Sequence, residues 1–334
     1  METLGSQDGT IARYTGSRVV DQSWGTKRPG RSCQRHPLVQ VVEALPPRVM
    51  AGVSGGMDSR ALLHALACAG KEVIVVHWDH AWRTDSWQDR EWVEKLASGY
   101  GFPCLWERAC SSGKRSEAEA RRERWAFFLR ASQQCGCSEL VLAHHADDQV
   151  ETVLFRLFRG TAGGAGGMRA RSRQNGLTVH RPWLGFWKED IFQYACREGL
   201  QWREDSSNEE LRYVRNRLRR ELFPWVERNL RLPARRSLLR FAQIQQELVD
   251  WLDVVVAPHV ENPVLNVATL RALPVAVARH LVFRWLQSRG VHDIGFDEVE
   301  GVRHLADPGA ASRCNLPCGW HARRRAGNIV VETR

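Results

Sequence analysis

MAGVSGGMDS, residues 50–59, is a short apolar strand that runs through a glycine-serine turn into a helix. Gly55 and Gly56 stand where the backbone must fold tightly and approach a ligand closely, which residues without a Cβ allow. Asp58 and Ser59 open the helix, whose apolar face follows as Leu62, Leu63 and Leu66. Backbone N–H groups and a helix N-terminus then point at one spot, a site for phosphate or pyrophosphate. The turn is neither a Walker A loop, since no Gly-Lys-Ser/Thr follows the glycines, nor a GxGxxG fingerprint. Glycines that serve geometry alone are the plainer alternative.

Working outward, short apolar strands alternate with amphipathic helices from Arg48 onward. Strands are expected at 48–53, 72–78, 103–107 and 139–143, and helices at 58–69, 87–100, 116–134 and 147–159. Strands apolar on both faces and separated by helices predict an α/β fold, a doubly wound parallel sheet. Ligands of such sheets sit at the carboxyl ends of the strands. Three chemically loaded stretches fall there: Ser54–Ser59, His77–Arg83 and His144–Glu151. Beyond about Pro224 the pattern is helical and arginine-rich, a smaller C-terminal domain whose last residues read as two short strands around a basic turn. The expected domains are a flexible N-terminal extension over 1–45, a catalytic domain over 46–225 and a helical domain over 226–334. The extension is polar and mildly basic, and Glu2, Asp8 and Asp21 weigh against a transit peptide.

The stretch after the second strand, HWDHAWR, supplies His77, Asp79, His80 and Arg83, or else a polar loop capped by Thr84 and Asp85. The helix SEAEARRERWAFF carries Glu117, Arg121 and Arg124 on roughly one face. In LAHHADDQVETVLFRLFRG the paired histidines end a strand and Asp147 and Asp148 open the next helix. Glu151 lies one turn beyond Asp148. Two carboxylates so spaced suit a magnesium ion or a substrate ammonium group, or simply cap the helix. Asp205 to Asn208 is turn chemistry, and a helix follows in which Arg212, Arg215, Arg217, Arg219 and Arg220 crowd together. That density reads as a track for an RNA backbone, the plain alternative being solvated charge.

Composition narrows the partners. Lys and Arg number 48 against 38 Asp and Glu, a formal net charge of +10 that favours a polyanion such as nucleic acid. No run approaches the roughly eighteen apolar residues of a membrane helix, and no membrane partner is expected. The nine cysteines follow no disulfide framework, and a cytoplasmic location, with the thiols reduced, is expected. Cys135 and Cys137 form CxC without a second pair at zinc spacing.

SGGMDS resembles the SGGxDS signature of the PP-loop (N-type) ATP pyrophosphatases. Taken with HWDHAWR, EAEARRERW, HHADDQVETVLFRLFRG, RPWL, DSSN and RNRLR, in that order, the chain is similar to the tRNA(Ile)-lysidine synthetases over about residues 47–225, and more loosely beyond. Trp82 stands where that family usually has leucine, and Trp125 where it has tyrosine. The chain looks like the family's short form. The resemblance implies an ATP-dependent C–N ligase. ATP adenylates the wobble cytidine of tRNA(Ile) with a CAU anticodon, pyrophosphate leaves, and free L-lysine displaces AMP to give lysidine. It implies that Ser54, Gly55, Gly56, Met57, Asp58 and Ser59 cradle ATP, with Asp58 the link to Mg2+. His80 and His144 would line the nucleotide or reacting base. Asp148 and Glu151, with Arg121 or Arg124, would serve lysine and the activated cytidine, and Arg215 and Arg219 the tRNA backbone. A second copy of the chain is one option for assembly. A PP-loop tRNA thiolase, an ATP-dependent amidotransferase and a non-catalytic tRNA-binding protein are the alternatives.

Overall fold

The computed structural model of the protein describes residues 35–82, 85–109, 116–160, 166–203 and 214–333. Residues 1–34, Arg83, the middle of the glycine loop and the stretch with Asp205, Asn208 and Arg212 lie outside those residues, as do the side chains of Glu117 and Arg215. The chain forms two compact units, Met1–Asp148 with Arg169–Asn216, and Gln149–Met168 with Arg217–Arg334.

The first unit is built on α1 (Pro37–Glu43), β1 (Arg48–Gly52), α2 (Met57–Cys68), β2 (Glu72–Asp79), α3 (Trp87–Tyr100), β3 (Cys104–Arg108), α4 (Glu117–Cys135) and β4 (Glu139–Val141), with α5 (Ala146–Phe158) leading on from it. It closes with β5 (Arg171–Gln174), β6 (Leu177–His180) and α6 (Lys188–Arg197). The sheet runs β3-β2-β1-β4-β6-β5. Its pairings are parallel except β5 with β6, an antiparallel edge hairpin. Strand alternation decides which side chain goes to which face. Val49 and Ala51 of β1, with Val73 and Val75 of β2, join the core under α1, α2, α3 and α6. Met50, Ile74 and Val76 point the other way, to Trp125, Phe127 and Phe128 of α4. The sheet is covered on both faces, as expected.

One expectation needs correction here. Part of the supposed flexible extension is a helix: Pro37 begins α1, the His36 side chain accepts its first N–H, and Leu38, Val39 and Val42 are fully buried. Proline at a first helical position is preorganised for this, and burial of three aliphatic side chains is worth about 1.5–3 kcal/mol each.

In this sheet β1 has β2 on one side and β4 on the other. The chain therefore leaves β1 in one direction and returns on the opposite side, which makes a topological switch point and opens a crevice beyond the carboxyl ends of β1 and β4.

The first unit ends within the short α7 (Val214–Arg217), and the second resumes at Arg217 with a π-helical turn (Leu218–Leu222), then α8 (Phe223–Asn229) and the long α9 (Ala234–Val260). β7 (Leu265–Asn266), α10 (Val267–Ala272), α11 (Val275–Ser288), α12 (Phe296–His304), β8 (Arg313–Asn315), β9 (Trp320–Arg325) and β10 (Asn328–Thr333) complete it. The tail forms not two strands but three, and with β7 they make an antiparallel sheet ordered β7-β10-β9-β8. Ala322 and Ile329 of that sheet are buried against Leu281, Trp285 and Val302.

Candidate active site

The turn after β1 is wired from within. Val53 continues the ladder by donating to Val76 O at 3.0 Å, and its own carbonyl accepts from His77 Nδ1 at 2.8 Å. Burial pushes the His77 imidazole below its ordinary range, so the ring is neutral with its proton on Nδ1. Gly55 adopts φ +94°, a conformation costly for any residue with a Cβ. Its carbonyl accepts from Arg203 N at 3.1 Å, while the Arg203 side chain pairs with Asp89 at 2.8 Å. Ser59 Oγ donates to Gly56 O at 3.0 Å and accepts from Ser54 N at 3.1 Å. The Ser54 hydroxyl lies 3.1 Å from that of Ser59 and accepts from Gly56 N at 3.4 Å. Both serines thus shape the turn. Gly56 then caps the 12-residue α2 without a side chain, and Met57 and Asp58 form the first turn, where helix N–H groups and the macrodipole favour an anion.

Across the switch point, His144 and His145 lie between the end of β4 and the start of α5, and the two neighbours are held in opposite charge states. Burial pulls His145 down, but three carboxylates outweigh it and push its pKa up to about 10. Asp147 is 3.4 Å from Nδ1, and Asp148 and Asp58 are 3.5 and 3.7 Å from Nε2. This imidazolium ties the SGGMDS turn to the acids that open α5. His144 is driven well below the usual histidine range by burial and by the guanidinium groups of Arg181, Arg124 and Arg121. It is a neutral ring among three cations, with its Nδ1 buried and unpaired by any hydrogen bond.

Asp148 accepts from His145 N at 3.0 Å, so it performs the capping arm proposed for it as well as facing the imidazolium. Asp147 accepts from Lys188 N at 2.9 Å, and Lys188 Nζ stands 3.9 Å from Asp58. Asp58 therefore sits between two cations with 28% of its side chain exposed. Its position suits a single carboxylate ligand to a magnesium ion that draws its other ligands from phosphate oxygens and water. His80 stands at the end of β2, where Nδ1 accepts from Trp78 Nε1 at 3.2 Å.

The structure thus brings Ser54, Gly55, Gly56, Met57, Asp58, Ser59, Asp148, His144, Arg121 and Arg124 to the rim of one unit. It places Glu151 and Arg219 together in the other unit, 2.7 Å apart. The histidine pair in HHADD was legible, but not that His145 would be the charged one. Arg181 lay in the RPWL motif without a role, and Lys188 and Arg203 gave no local signal.

A family model described as a PP-loop domain matches residues 33–226, and one described as the TilS substrate binding domain matches residues 265–330. The tRNA(Ile)-lysidine synthase of Thermus thermophilus is 36% identical over 298 residues, covering 85% of this chain and 56% of that protein. The chain thus spans a little over half the length of that relative. The proteins of the same name from Thermosynechococcus vestitus and Geobacter sulfurreducens are 30% and 33% identical. These matches cover 86% and 95% of this chain, and 88% and 68% of those proteins. Among solved structures, the U34-tRNA thiolase NcsA from Methanococcus maripaludis superposes with a TM-score of 0.53 at 13% identity, covering 66% of this chain and 80% of that one, a likeness of fold.

Proposed function

The chain belongs to the tRNA(Ile)-lysidine synthase family, and on that premise we propose that it uses ATP to activate the wobble cytidine of tRNA(Ile) with a CAU anticodon and joins free L-lysine to it. The observation that carries this reading is the convergence at the switch point of the SGGMDS turn and the HHADD segment, where His145 lies 3.4–3.7 Å from Asp147, Asp148 and Asp58 while its neighbour His144 is buried in the field of Arg181, Arg124 and Arg121. Environments that push neighbouring groups apart in this way assign them different tasks.

A cytidine ring carbonyl is a poor electrophile with a hopeless leaving oxygen, and adenylation turns that oxygen into one that departs as AMP. The developing charge falls on the diphosphate. Gly55 and Gly56 let the backbone approach it, and the N-terminus of α2 opposes that charge without reorganising. Asp58, held by His145 and Lys188, keeps one orientation. Magnesium held at Asp58 and the phosphates would neutralise the leaving diphosphate. The three arginines around His144 receive the anionic adenylate or the RNA backbone, while the neutral His144 ring offers a hydrogen bond to the base. Lysine must reach the ring carbon with its amine unprotonated, and Asp148 orients the ammonium and accepts its proton. The +10 net charge supports the RNA partner, and Arg215 in α7 is assigned to the RNA backbone. No helix among the described residues is long and apolar enough to cross a membrane. We place the reaction in the cytoplasm.

The test is one incubation of the protein with ATP, labelled lysine and either tRNA(Ile) or tRNA(Met), both with a CAU anticodon. Label is expected in the first alone, with AMP and pyrophosphate released in equal amount. Pyrophosphate release without lysine transfer, or equal labelling of both RNAs, would sink the reading.

A further inference from the structure

Trp82, three residues beyond the end of β2, is a large aromatic side chain with 48% of its surface exposed. Its ring stacks on His80 with centroids 4.5 Å apart and planes at 18°. Nothing in the packing of the first unit calls for a bicyclic ring there, since an apolar side chain left half in water contributes little to a core. What holds it is a short ladder of rings. Trp78 packs on Phe127 of α4 at 5.7 Å, and its indole N–H fixes His80 through Nδ1 at 3.2 Å. An indole only donates, so Nδ1 carries the lone pair and the His80 proton is on Nε2.

The backbone beneath the ladder is equally fixed. Asp79, buried at the end of β2, accepts from Ala81 N at 2.8 Å and pairs with Arg108 at 3.4 Å. The Asp79 carbonyl accepts from Ala109 N at 2.9 Å. Ala81 turns through φ +53° with its side chain buried, which throws Trp82 outward onto the His80 face. A rigid, flat, half-exposed aromatic surface held by a second ring is a preorganised stacking platform. It stands at the carboxyl end of the strand next to β1, the rim that carries the SGGMDS turn.

We propose that Trp82, stacked on His80, is a nucleobase platform that sets the affinity of this site for one of its bases. The inference rests on the ligase reading for the identity of those bases, which are the adenine of ATP and a base of the anticodon loop. The shared chemistry is a π face, which every base has and which tolerates sequence.

Three variants separate stacking from packing: Trp82→Ala, Trp82→Leu and Trp82→Phe. Equilibrium binding is measured for ATP and, separately, for an anticodon stem-loop RNA carrying CAU, so that the readout does not depend on turnover. Trp82→Ala and Trp82→Leu are expected to weaken one of the two ligands by roughly five- to a hundredfold, the range that stacking on one ring spans. Trp82→Phe is expected to stay within about threefold of the parent for the same ligand. The ligand that moves names the base. If Trp82→Leu binds both ligands as tightly as the parent, or if no variant moves either, the platform is wrong. The platform fails on that result whether or not the parent protein transfers lysine to tRNA, and failure of the transfer with the platform intact would indict the ligase reading alone. Far-ultraviolet circular dichroism checks that the half-exposed position leaves the fold unchanged.

Discussion

Glu151 and Arg219 form an ion pair at 2.7 Å in which the carboxylate is 3% exposed and the guanidinium 33%. Arg219 reaches it from the π-helical turn Leu218–Leu222, a local widening of the helix of the kind that often re-aims a side chain at a functional site. Sequence reasoning gave the two residues separate duties, lysine chemistry for one and tRNA backbone for the other. The pair makes them one unit, so neither can be changed alone without cost. Arg219→Ala leaves a buried charge and is expected to destabilise by about 3–5 kcal/mol, less whatever water recovers at the exposed side of the guanidinium. Glu151→Gln in the same background should restore part of that loss. A double-mutant cycle by urea denaturation is expected to give a coupling of about 1–3 kcal/mol. Additive effects would mean that the pair contributes nothing. The salt slope of tRNA binding should meanwhile change little in Arg219→Ala, whereas removing a side chain that does grip a phosphate lowers it by about 0.7 log units.

His145 sets a pH window for the first unit. Its pKa rises from the ordinary 6.5 to about 10 on folding, because Asp147, Asp58 and Asp148 outweigh burial. The native state therefore holds a proton that the unfolded chain gives up, and this stabilisation is complete below about 6.5 and lost as pH climbs through about 10. His145→Gln should be less stable than the parent at pH 6 to 7. The two stability curves should draw together between pH 7 and 10, where the parent alone loses its bound proton. Parallel curves over that window would show that His145 is not charged in the folded protein.

Glu300 gives the opposite sign in the second unit. Arg279 Nε at 2.7 Å and Arg303 at 3.1 Å hold its carboxyl down to about 2. Its contribution is present above the ordinary carboxylate pKa of 4.5 and is lost as pH falls towards 2. Because the two arginines lie on α11 and α12, the pair joins those helices. Glu300→Gln is expected to cost about 1–3 kcal/mol at pH 7 and roughly a quarter of that at pH 2.5, read by chemical denaturation at both values.

The central sheet was legible because β1 and β2 are runs of apolar residues whose alternate side chains enter two different cores. Helix extents were legible where the apolar period is regular, as at 58–69 and 87–100, which form α2 (Met57–Cys68) and α3 (Trp87–Tyr100). The β5–β6 hairpin escaped even though Asn175 and Gly176 mark its turn with φ +50° and +84°. The strand RSRQ has no apolar alternation, being an edge strand of polar residues whose two arginines are exposed. The rim was legible as a location, since three loaded stretches ended strands. The charge on His145 was not, because it depends on Asp58, 87 residues earlier in the chain, approaching within 3.7 Å. Such long-range pairings leave no periodic mark, and the same holds for Lys188 and Arg203.

Gly55 and Gly56 separate the needs of the fold from those of the ligand. A Cβ on Gly55 would meet Trp92 and Val93 at 3.5 Å, ordinary contact, so space is not the obstacle. The obstacle is φ +94°, and Gly55→Ala is expected to cost about 1–2 kcal/mol of stability and to lower Tm by about 2–8 °C. Gly56 has φ −73°, and a Cβ there lies 3.6 Å from Ser54 Oγ, so Gly56→Ala should fold with stability close to the parent. If the turn cradles phosphate, however, that methyl group stands at the N-terminus of α2, where the anion must come closest. ATP binding by Gly56→Ala should then weaken by at least tenfold, or about 1.4 kcal/mol, while binding of the anticodon stem-loop is unchanged. Calorimetric titration of both ligands into both variants distinguishes the cases. A stable Gly56→Ala protein that binds ATP like its parent would mean that the nucleotide does not use this turn.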